Sequence, residues 1–161
     1  MKKEITLEFS QSLAQVITAY TDADFIKKKA EALGARKVEV RITETADATE
    51  IEIDKEVPAE IPPFLKSFAG EYNRITQAER WTKNADGSYT GRMRIIIPNA
   101  PITIKSEMLL RQTDAGCTAE TLTEVSNSVP FFGKKVNKFL LETAEKNIEK
   151  EFWFIAQEVP K

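Results

Sequence analysis

Residues 77–81 carry the side chains with the clearest chemical potential in this sequence. The segment is Gln77-Ala78-Glu79-Arg80-Trp81, and the alternation of a β-strand would place Gln77 and Glu79 on one face. A buried carboxyl group there would have a raised pKa and could act as a general acid or base. Tyr89 would then donate a hydrogen bond to a developing oxyanion. This arrangement is one hypothesis for an active site.

The same residues have a structural interpretation, which we prefer. If the strand phase is shifted by one residue, Glu79 lies in solvent or forms ion pairs with Arg80, Arg92 or Arg94 on the sheet surface. Inward burial of Gln77 and Glu79 without partners would cost several kcal/mol. We therefore predict no catalytic residues. An enzyme of the cyclase, dehydratase or hydrolase type that uses Glu79 remains the alternative.

The composition argues against several classes of function. The chain has no histidine, and Cys117 is its only cysteine. Histidine-based catalysis, an intramolecular disulfide and a thiolate metal cluster are therefore excluded. A net charge of -2 gives no general attraction to nucleic acid. We expect no metal, no cofactor and no nucleic-acid partner, and we interpret Cys117 as a small apolar strand residue.

The N-terminal residues Met1 to Glu8 lack the apolar run of a signal peptide. No stretch approaches the roughly 20 apolar residues that cross a bilayer. We therefore predict a cytoplasmic protein without stable membrane insertion. A length of 161 residues indicates a single domain over residues 1–161. The oligomeric state stays open.

Apolar spacing predicts the elements that position these side chains. A period of two marks strands, and a period near 3.6 marks helices. One strand comes first, two short helices follow, six strands are joined by tight turns, and one long helix spans about residues 132–159. In the second helix, we interpret Lys27, Lys28 and Lys29 as a solvated face and Gly34 as the C-cap.

These elements predict an α+β fold in the order β-α-α-β-β-β-β-β-β-α. Strands joined by tight turns pair antiparallel, and the apolar stripe of the long C-terminal helix must be buried on the sheet. A seven-stranded sheet curves because its strands twist. One helix laid in the curve leaves room for a cavity, which would be apolar with a few polar groups.

The residues predicted to line this cavity come from the inward rows of four strands and from the helix. They are Ile75, Gln77, Glu79, Trp81, Tyr89, Met93, Ile95, Ile104, Met108, Thr121, Thr123, Phe132, Val136, Phe139, Leu140 and Thr143. Phe132 has a second interpretation, as a hydrophobic staple at the start of the helix. The proline-rich segment 58–70 breaks the strand rhythm, and we predict a lid formed by Ile61, Phe64, Leu65 and Phe68.

Five stretches of sequence resemble a known family. They are Ala32–Val40, residues 57–70, Gln77–Trp81, Gly91 with residues 98–101, and Val129–Lys135. In their order and spacing they resemble the bacterial domain-of-unknown-function family DUF2505. The order of elements resembles the wider START-like helix-grip superfamily, which includes polyketide cyclases. That resemblance implies the fold and a pocket for an apolar molecule, and it carries no catalytic motif onto this chain.

The expected function is therefore binding or carriage of an apolar small molecule or lipid between the sheet and the C-terminal helix. The enzyme that uses Glu79 is one alternative. A protein-interaction module that docks through the exposed rings of Phe64 and Phe68 is another. An inward Glu79 would favour the first two hypotheses, and burial of both rings within the monomer would weaken the third.

Overall fold

The computed structural model describes residues 1–59, 71–98 and 100–161. The elements follow the predicted order. They are β1 (Lys2–Phe9), α1 (Leu13–Thr21), α2 (Ala23–Ala32), β2 (Arg36–Glu44), β3 (Thr49–Pro58), β4 (Tyr72–Lys83), β5 (Tyr89–Ile96), β6 (Ile102–Gln112), β7 (Cys117–Asn127) and α3 (Gly133–Glu158). In these ranges, no helix is long and apolar enough to cross a membrane.

The strands form one curved antiparallel sheet in the order β1-β7-β6-β5-β4-β3-β2. Consecutive strands from β2 to β7 are neighbours, as short connections favour, and β1 completes the sheet against β7. Residues in register across neighbouring strands share a face. One such row contains Ile51, Glu79, Met93, Ser106 and Thr123. We call the face that carries this row the inner face.

The helices cover the inner face from two sides. α2 packs against β2, whereas α3 packs against β7 and β1. The first two helices begin where side chains cap them. The backbone N–H of Gln15 donates to Oγ of Ser12 at 3.2 Å, and that of Phe25 donates to Oδ2 of Asp22 at 2.8 Å. Gly34 follows α2 with φ near 99°, which confirms the predicted left-handed termination.

Side chains near the ends of β1 and β7 hold α3 in place. Nε2 of Gln11 donates to the carbonyl oxygens of Ala156 at 2.9 Å and Val159 at 2.8 Å. At the other end, Nδ2 of Asn127 donates to the carbonyl oxygen of Gly133 at 2.9 Å. The bonds from Gln11 satisfy backbone groups that a helix leaves unpaired at its C-terminal end. Together the two side chains fix the direction in which α3 crosses the sheet.

Among the described residues, the buried apolar side chains form two clusters, whereas a domain usually has one contiguous core. The first cluster lies under α1, α2 and the end of α3, and the second lies under the start of α3. On β6, Ser106 separates Met108 of the first cluster from Ile104 of the second. Thr121 and Thr123 occupy the equivalent place on β7. A band of polar residues therefore divides the inner face.

Candidate functional site

Glu79 lies on the inner face and is only 8% exposed. Both carboxylate oxygens accept hydrogen bonds. Nε2 of Gln77 donates to Oε2 at 2.6 Å, and Nε1 of Trp81 donates to Oε1 at 2.9 Å. The preferred interpretation of the sequence, which left Glu79 in solvent or paired with a surface arginine, is therefore wrong. Two neutral donors on the same strand reduce the cost of burying this carboxylate.

Burial raises the pKa of Glu79. The charge of Lys29 and the hydrogen bonds from Trp81 and Gln77 oppose this rise, whereas the negative charge of Glu151 adds to it. Desolvation favours the neutral form of a carboxyl group, and donors favour the ionised form. Since desolvation dominates here, Glu79 retains its proton to a higher pH than a solvated glutamate.

Lys29 and Glu151 bring two further charges to this part of the inner face. Lys29 is 8% exposed, so its assignment to a solvated helix face is wrong. Its Nζ lies 3.8 Å from Oε2 of Glu151 on α3 and 4.8 Å from the centre of the Tyr20 ring. Because lysine is almost never buried without a partner, the ion pair and the ring explain how α2 buries this side chain.

Lys55 adds a second lysine to the cluster. It is half-buried on β3, in register with Ile75 of the inner face. Burial lowers the pKa of Lys55, and the charges of Glu151, Lys29 and Glu79 also act on it. The four ionisable residues therefore share one region between β3, β4, α2 and α3. We call Lys29, Lys55, Glu79 and Glu151 the charged cluster.

Tyr20 and Trp81 form an aromatic wall beside the charged cluster. The two ring centres are 5.1 Å apart, and both residues are buried. Burial raises the pKa of Tyr20 well above its ordinary value, with smaller contributions from Glu151 and Glu79. The Trp81 ring lies over Gly91 of β5, where a Cβ atom would stand only 2.6 Å from it. The missing side chain at Gly91 therefore makes room for Trp81.

The polar band contains three hydroxyl groups. Oγ of Ser106 and Oγ1 of Thr123 are 2.8 Å apart, so each can donate to the other. Oγ1 of Thr121 is buried without a hydrogen-bond partner in the described ranges. A buried hydroxyl usually has a partner, so Thr121 is an exception on the inner face.

The predicted cavity-lining residues that belong to strands all lie on the inner face. Those that are buried are Ile75, Gln77, Glu79, Trp81, Met108, Thr121 and Thr123, together with Val136 and Leu140 on α3. Half-buried residues are Tyr89, Met93, Ile95, Ile104, Phe139 and Thr143.

Phe132, by contrast, is 41% exposed at the start of α3. Its neighbour Phe131 is fully exposed with φ near 66°. The predicted lid residues Ile61, Phe64, Leu65 and Phe68 lie outside the described residues.

The structure does not bring Tyr89 to Glu79. Glu79 is in register with Met93, and Tyr89 is four residues earlier on β5, about 13 Å along the strand. Tyr89 pairs instead with Leu110 and Lys83. The pKa of Tyr20, by contrast, is raised mainly by burial, with smaller contributions from the charges of Glu151 and Glu79. The alternative hypothesis, in which Tyr89 donates to an oxyanion while Glu79 acts as acid or base, would therefore need a substrate that spans the distance between these two residues.

An open groove of about 720 Å³ lies mainly on the opposite face of the sheet. Charged side chains dominate its lining, and several already form ion pairs, such as Arg80 with Glu50 at 2.6 Å and Arg92 with Glu107 at 3.3 Å. Exposed pairs of this kind are well solvated and contribute little. The charged side chains of this groove are therefore partly neutralised by one another.

Cys117 is buried in β7, which confirms its interpretation as an apolar strand residue. Burial raises the pKa of its thiol to about 11, so the reactive thiolate is not formed at neutral pH. In the described part of the chain, no group of three or more histidine, cysteine, aspartate or glutamate side chains could hold a metal ion.

The sequence contains a pattern that would have identified three inward residues not predicted above, which are Lys29, Lys55 and Glu151. Lys29 follows Ile26 by three positions, Lys55 continues the alternation of Ile51 and Ile53, and Glu151 follows Ile148 by three positions. Each therefore occupies a position that the local period assigns to the inward face. Charged residues at apolar positions are the pattern that would have identified the charged cluster.

Solved structures share this fold at low sequence identity. TTHA0849 from Thermus thermophilus is 14% identical over 98% of this chain and 95% of its own, with a TM-score of 0.69. A STAR-related lipid transfer protein from Xanthomonas axonopodis is 15% identical over 97% and 86%, with a TM-score of 0.67. Human STARD10 is 12% identical over 98% and 64%, with a TM-score of 0.65.

Identities this low show the fold alone. The predicted START-like architecture, with its seven-stranded sheet and long C-terminal helix, is thereby confirmed. No curated protein matches the sequence. A family model described as a protein of unknown function (DUF2505) matches residues 4–158, and the chain therefore belongs to the DUF2505 family.

Proposed function

We propose that this protein binds a hydrophobic small molecule or lipid between the inner face of the sheet and α3. The observation that carries the proposal is the partial exposure of Met93, Ile95 and Ile104. These side chains lie on the inner face of the central strands β5 and β6, where a solid core would leave no accessible surface. Their remaining surface supports a space that an apolar ligand would fill.

The division of the core supports the same proposal. A continuous core would bury apolar side chains across the whole inner face, whereas in the described part of the chain Ser106, Thr121 and Thr123 separate two clusters. Ligand pockets combine apolar walls with a few placed polar groups. An apolar molecule between sheet and helix would contact the half-buried residues.

The fold is compatible with this function. One protein with a similar structure is described as a STAR-related lipid transfer protein, and a helix laid over a curved sheet is a suitable frame for an enclosed site. The fold does not identify the ligand of this chain, because similar folds serve unrelated functions. We expect the carrier to act in the cytoplasm, as predicted from the sequence.

The first experiment examines protein purified without added ligand. Native mass spectrometry and solvent extraction should detect an apolar molecule at a fixed ratio to the protein, and delipidated protein should bind members of a panel of acyl chains and polycyclic compounds. Absence of a copurifying molecule together with absence of binding across the panel would overturn the proposal.

A pair of variants on one strand locates the site. Ile104→Trp fills the inner face and should abolish binding or weaken it at least tenfold. Thr103→Trp, which places the same ring on the opposite face of β6, should leave binding within twofold of the unchanged protein. Equal effects of both substitutions would argue against a site between sheet and helix. Circular dichroism would show that both variants are folded.

A second function rests on Glu79 itself. Its buried carboxyl group, with a raised pKa and donors on both oxygens, suits a general acid or base acting on the bound molecule. The Glu79→Gln variant would then copurify with the substrate, whereas the unchanged protein would copurify with the product. The masses of the molecules extracted from the two proteins should differ by the change that one reaction makes. Identical masses would contradict an enzymatic role and would be consistent with binding alone.

A further inference from the structure

Among the described residues, Lys55 differs from the other members of the charged cluster because it forms no ion pair or hydrogen bond through its side chain. Lys29 pairs with Glu151 at 3.8 Å, and Glu79 accepts bonds from Gln77 and Trp81. Within the described ranges, no carboxylate lies within 4 Å of the Lys55 ammonium group. Its side chain nevertheless starts on the inner face, in register with buried Ile75. A half-buried ammonium group of this kind calls for a counter-ion.

The balance of charge around Lys55 gives the sign of that counter-ion. The groups that face it from neighbouring elements are Lys29 on α2, Glu151 on α3 and Glu79 on β4. The ion pair of Lys29 with Glu151 is neutral in total. Both carboxylate oxygens of Glu79 accept their hydrogen bonds from Gln77 and Trp81, so among the described residues the ammonium group of Lys55 has no direct counter-ion. One anionic group of a bound molecule would supply it.

We propose that the ligand is an amphiphile with one anionic group, and that Lys55 binds this group while the apolar part lies along the inner face. The inference rests on the proposed function, because it assigns the polar end of a molecule whose apolar end occupies the same site. An acyl carboxylate is the simplest member of the class, and an alkyl phosphate presents the same charge to a lysine.

The test compares heads of different charge on chains of equal length. Calorimetric titration of delipidated protein with decanoate, decyl phosphate, decanol and decyltrimethylammonium, and with the same heads on longer chains, gives one affinity for each head. We expect the anions to bind at least tenfold more tightly than the alcohol, and the cation to bind more weakly than the alcohol. A preference for one of the two anions would distinguish a carboxylate from a phosphate.

Variants assign the preference to one side chain. Lys55→Met should bring the anion and the alcohol within about threefold of each other while leaving the alcohol affinity unchanged. Lys55→Arg should keep the preference. The control is Lys105→Met, which removes a lysine from the opposite face of the sheet and should behave like the unchanged protein.

The outcomes separate the two proposals. If no head binds at any chain length while another apolar compound copurifies or binds, the proposed function stands and the amphiphile inference is wrong. If nothing copurifies and nothing binds, the proposed function itself is overturned. If the anions and the alcohol bind equally well to the unchanged protein, the hydrophobic site stands and the role of Lys55 is wrong. Retention of the anion preference in a folded Lys55→Met variant would also overturn the assignment to Lys55.

Discussion

Nε1 of Trp81 donates a hydrogen bond of 2.9 Å to Oε1 of Glu79, two residues earlier on β4. The inward side of the strand thus supplies both the acid and one of its donors. The ring of Trp81 also excludes water from the carboxyl group, because both residues are buried. The tryptophan therefore has opposite effects on ionisation, one through its N–H group and one through its bulk.

Glu79→Gln should change how stability depends on pH. Because the pKa of Glu79 is raised in the folded protein, its protonated form contributes stability that is complete below the ordinary carboxyl pKa and is lost as pH rises through the folded pKa. The glutamine variant lacks this loss. As pH rises, the free energy of unfolding of this variant should therefore increase relative to that of the unchanged protein. The increase is about 1.4 kcal/mol for each unit by which the pKa of Glu79 in the folded state exceeds that in the unfolded state.

Urea denaturation at a series of pH values measures this difference. Glu4→Gln, at an exposed position on β1, is the control, and its stability should stay parallel to that of the unchanged protein. A constant difference between the Glu79→Gln variant and the unchanged protein across the acidic and neutral range would contradict a raised pKa for Glu79.

Lys55→Met should stabilise the protein while weakening the binding of anions. Burial lowers the pKa of Lys55, so the folded state penalises the charged form that dominates at neutral pH. Replacement by an apolar side chain removes this penalty, and we expect a gain of about 1 kcal/mol at neutral pH that shrinks as pH rises toward the unfolded pKa of lysine. Lys105→Met should be neutral. A destabilised Lys55→Met variant would indicate that the lysine has a structural role.

Gly91→Ala should displace the Trp81 ring. The added Cβ atom would stand 2.6 Å from the ring, and overpacking of this kind costs about 1–3 kcal/mol. The fluorescence of Trp81, measured with Trp153 replaced by phenylalanine, should shift in the alanine variant. In the background Trp81→Leu the same Gly91→Ala change should cost much less, because the ring is absent. Equal costs in both backgrounds would show that the two residues act independently.

Removal of the bonds at either end of α3 should loosen that end alone. Gln11→Ala leaves the carbonyl groups of Ala156 and Val159 without their donor, at a cost of about 1–3 kcal/mol. Hydrogen exchange should accelerate near the C-terminal end of α3 and stay unchanged near Gly133. Asn127→Ala should show the reverse distribution, so each variant is the control for the other. Uniform acceleration along α3 would indicate global destabilisation instead.

The fold follows from periodicity more directly than the site does. Alternation over β4 to β7 and the stripe of α3 set both the elements and the inward rows, since most of those positions are apolar. Lys27, Lys28 and Lys29, however, are the same residue type, and only the spacing from Ile26 distinguishes the buried Lys29 from the other two. A phase shift of one residue in β4 would have reversed the orientation of Glu79.

The charged cluster was harder to predict because its partners come from distant parts of the sequence. Glu151 pairs with Lys29 only once α3 and α2 both pack on the sheet, and no local pattern indicates which lysine meets which glutamate. Tertiary packing also brings Tyr20, rather than Tyr89, close to Glu79. Local spacing indicates the direction in which a side chain points, whereas tertiary packing determines which residues it contacts.

The pairing of β1 with β7 has a consequence for synthesis. Residues Lys2–Phe9 are synthesised more than 100 residues before their partner strand Cys117–Asn127, and they can pair only when that strand has emerged from the ribosome. Contacts this remote in sequence slow folding. Until then β1 has an unpaired edge of the kind that promotes association between chains. We therefore expect a nascent chain stalled before residue 117 to depend on chaperones and to aggregate once released.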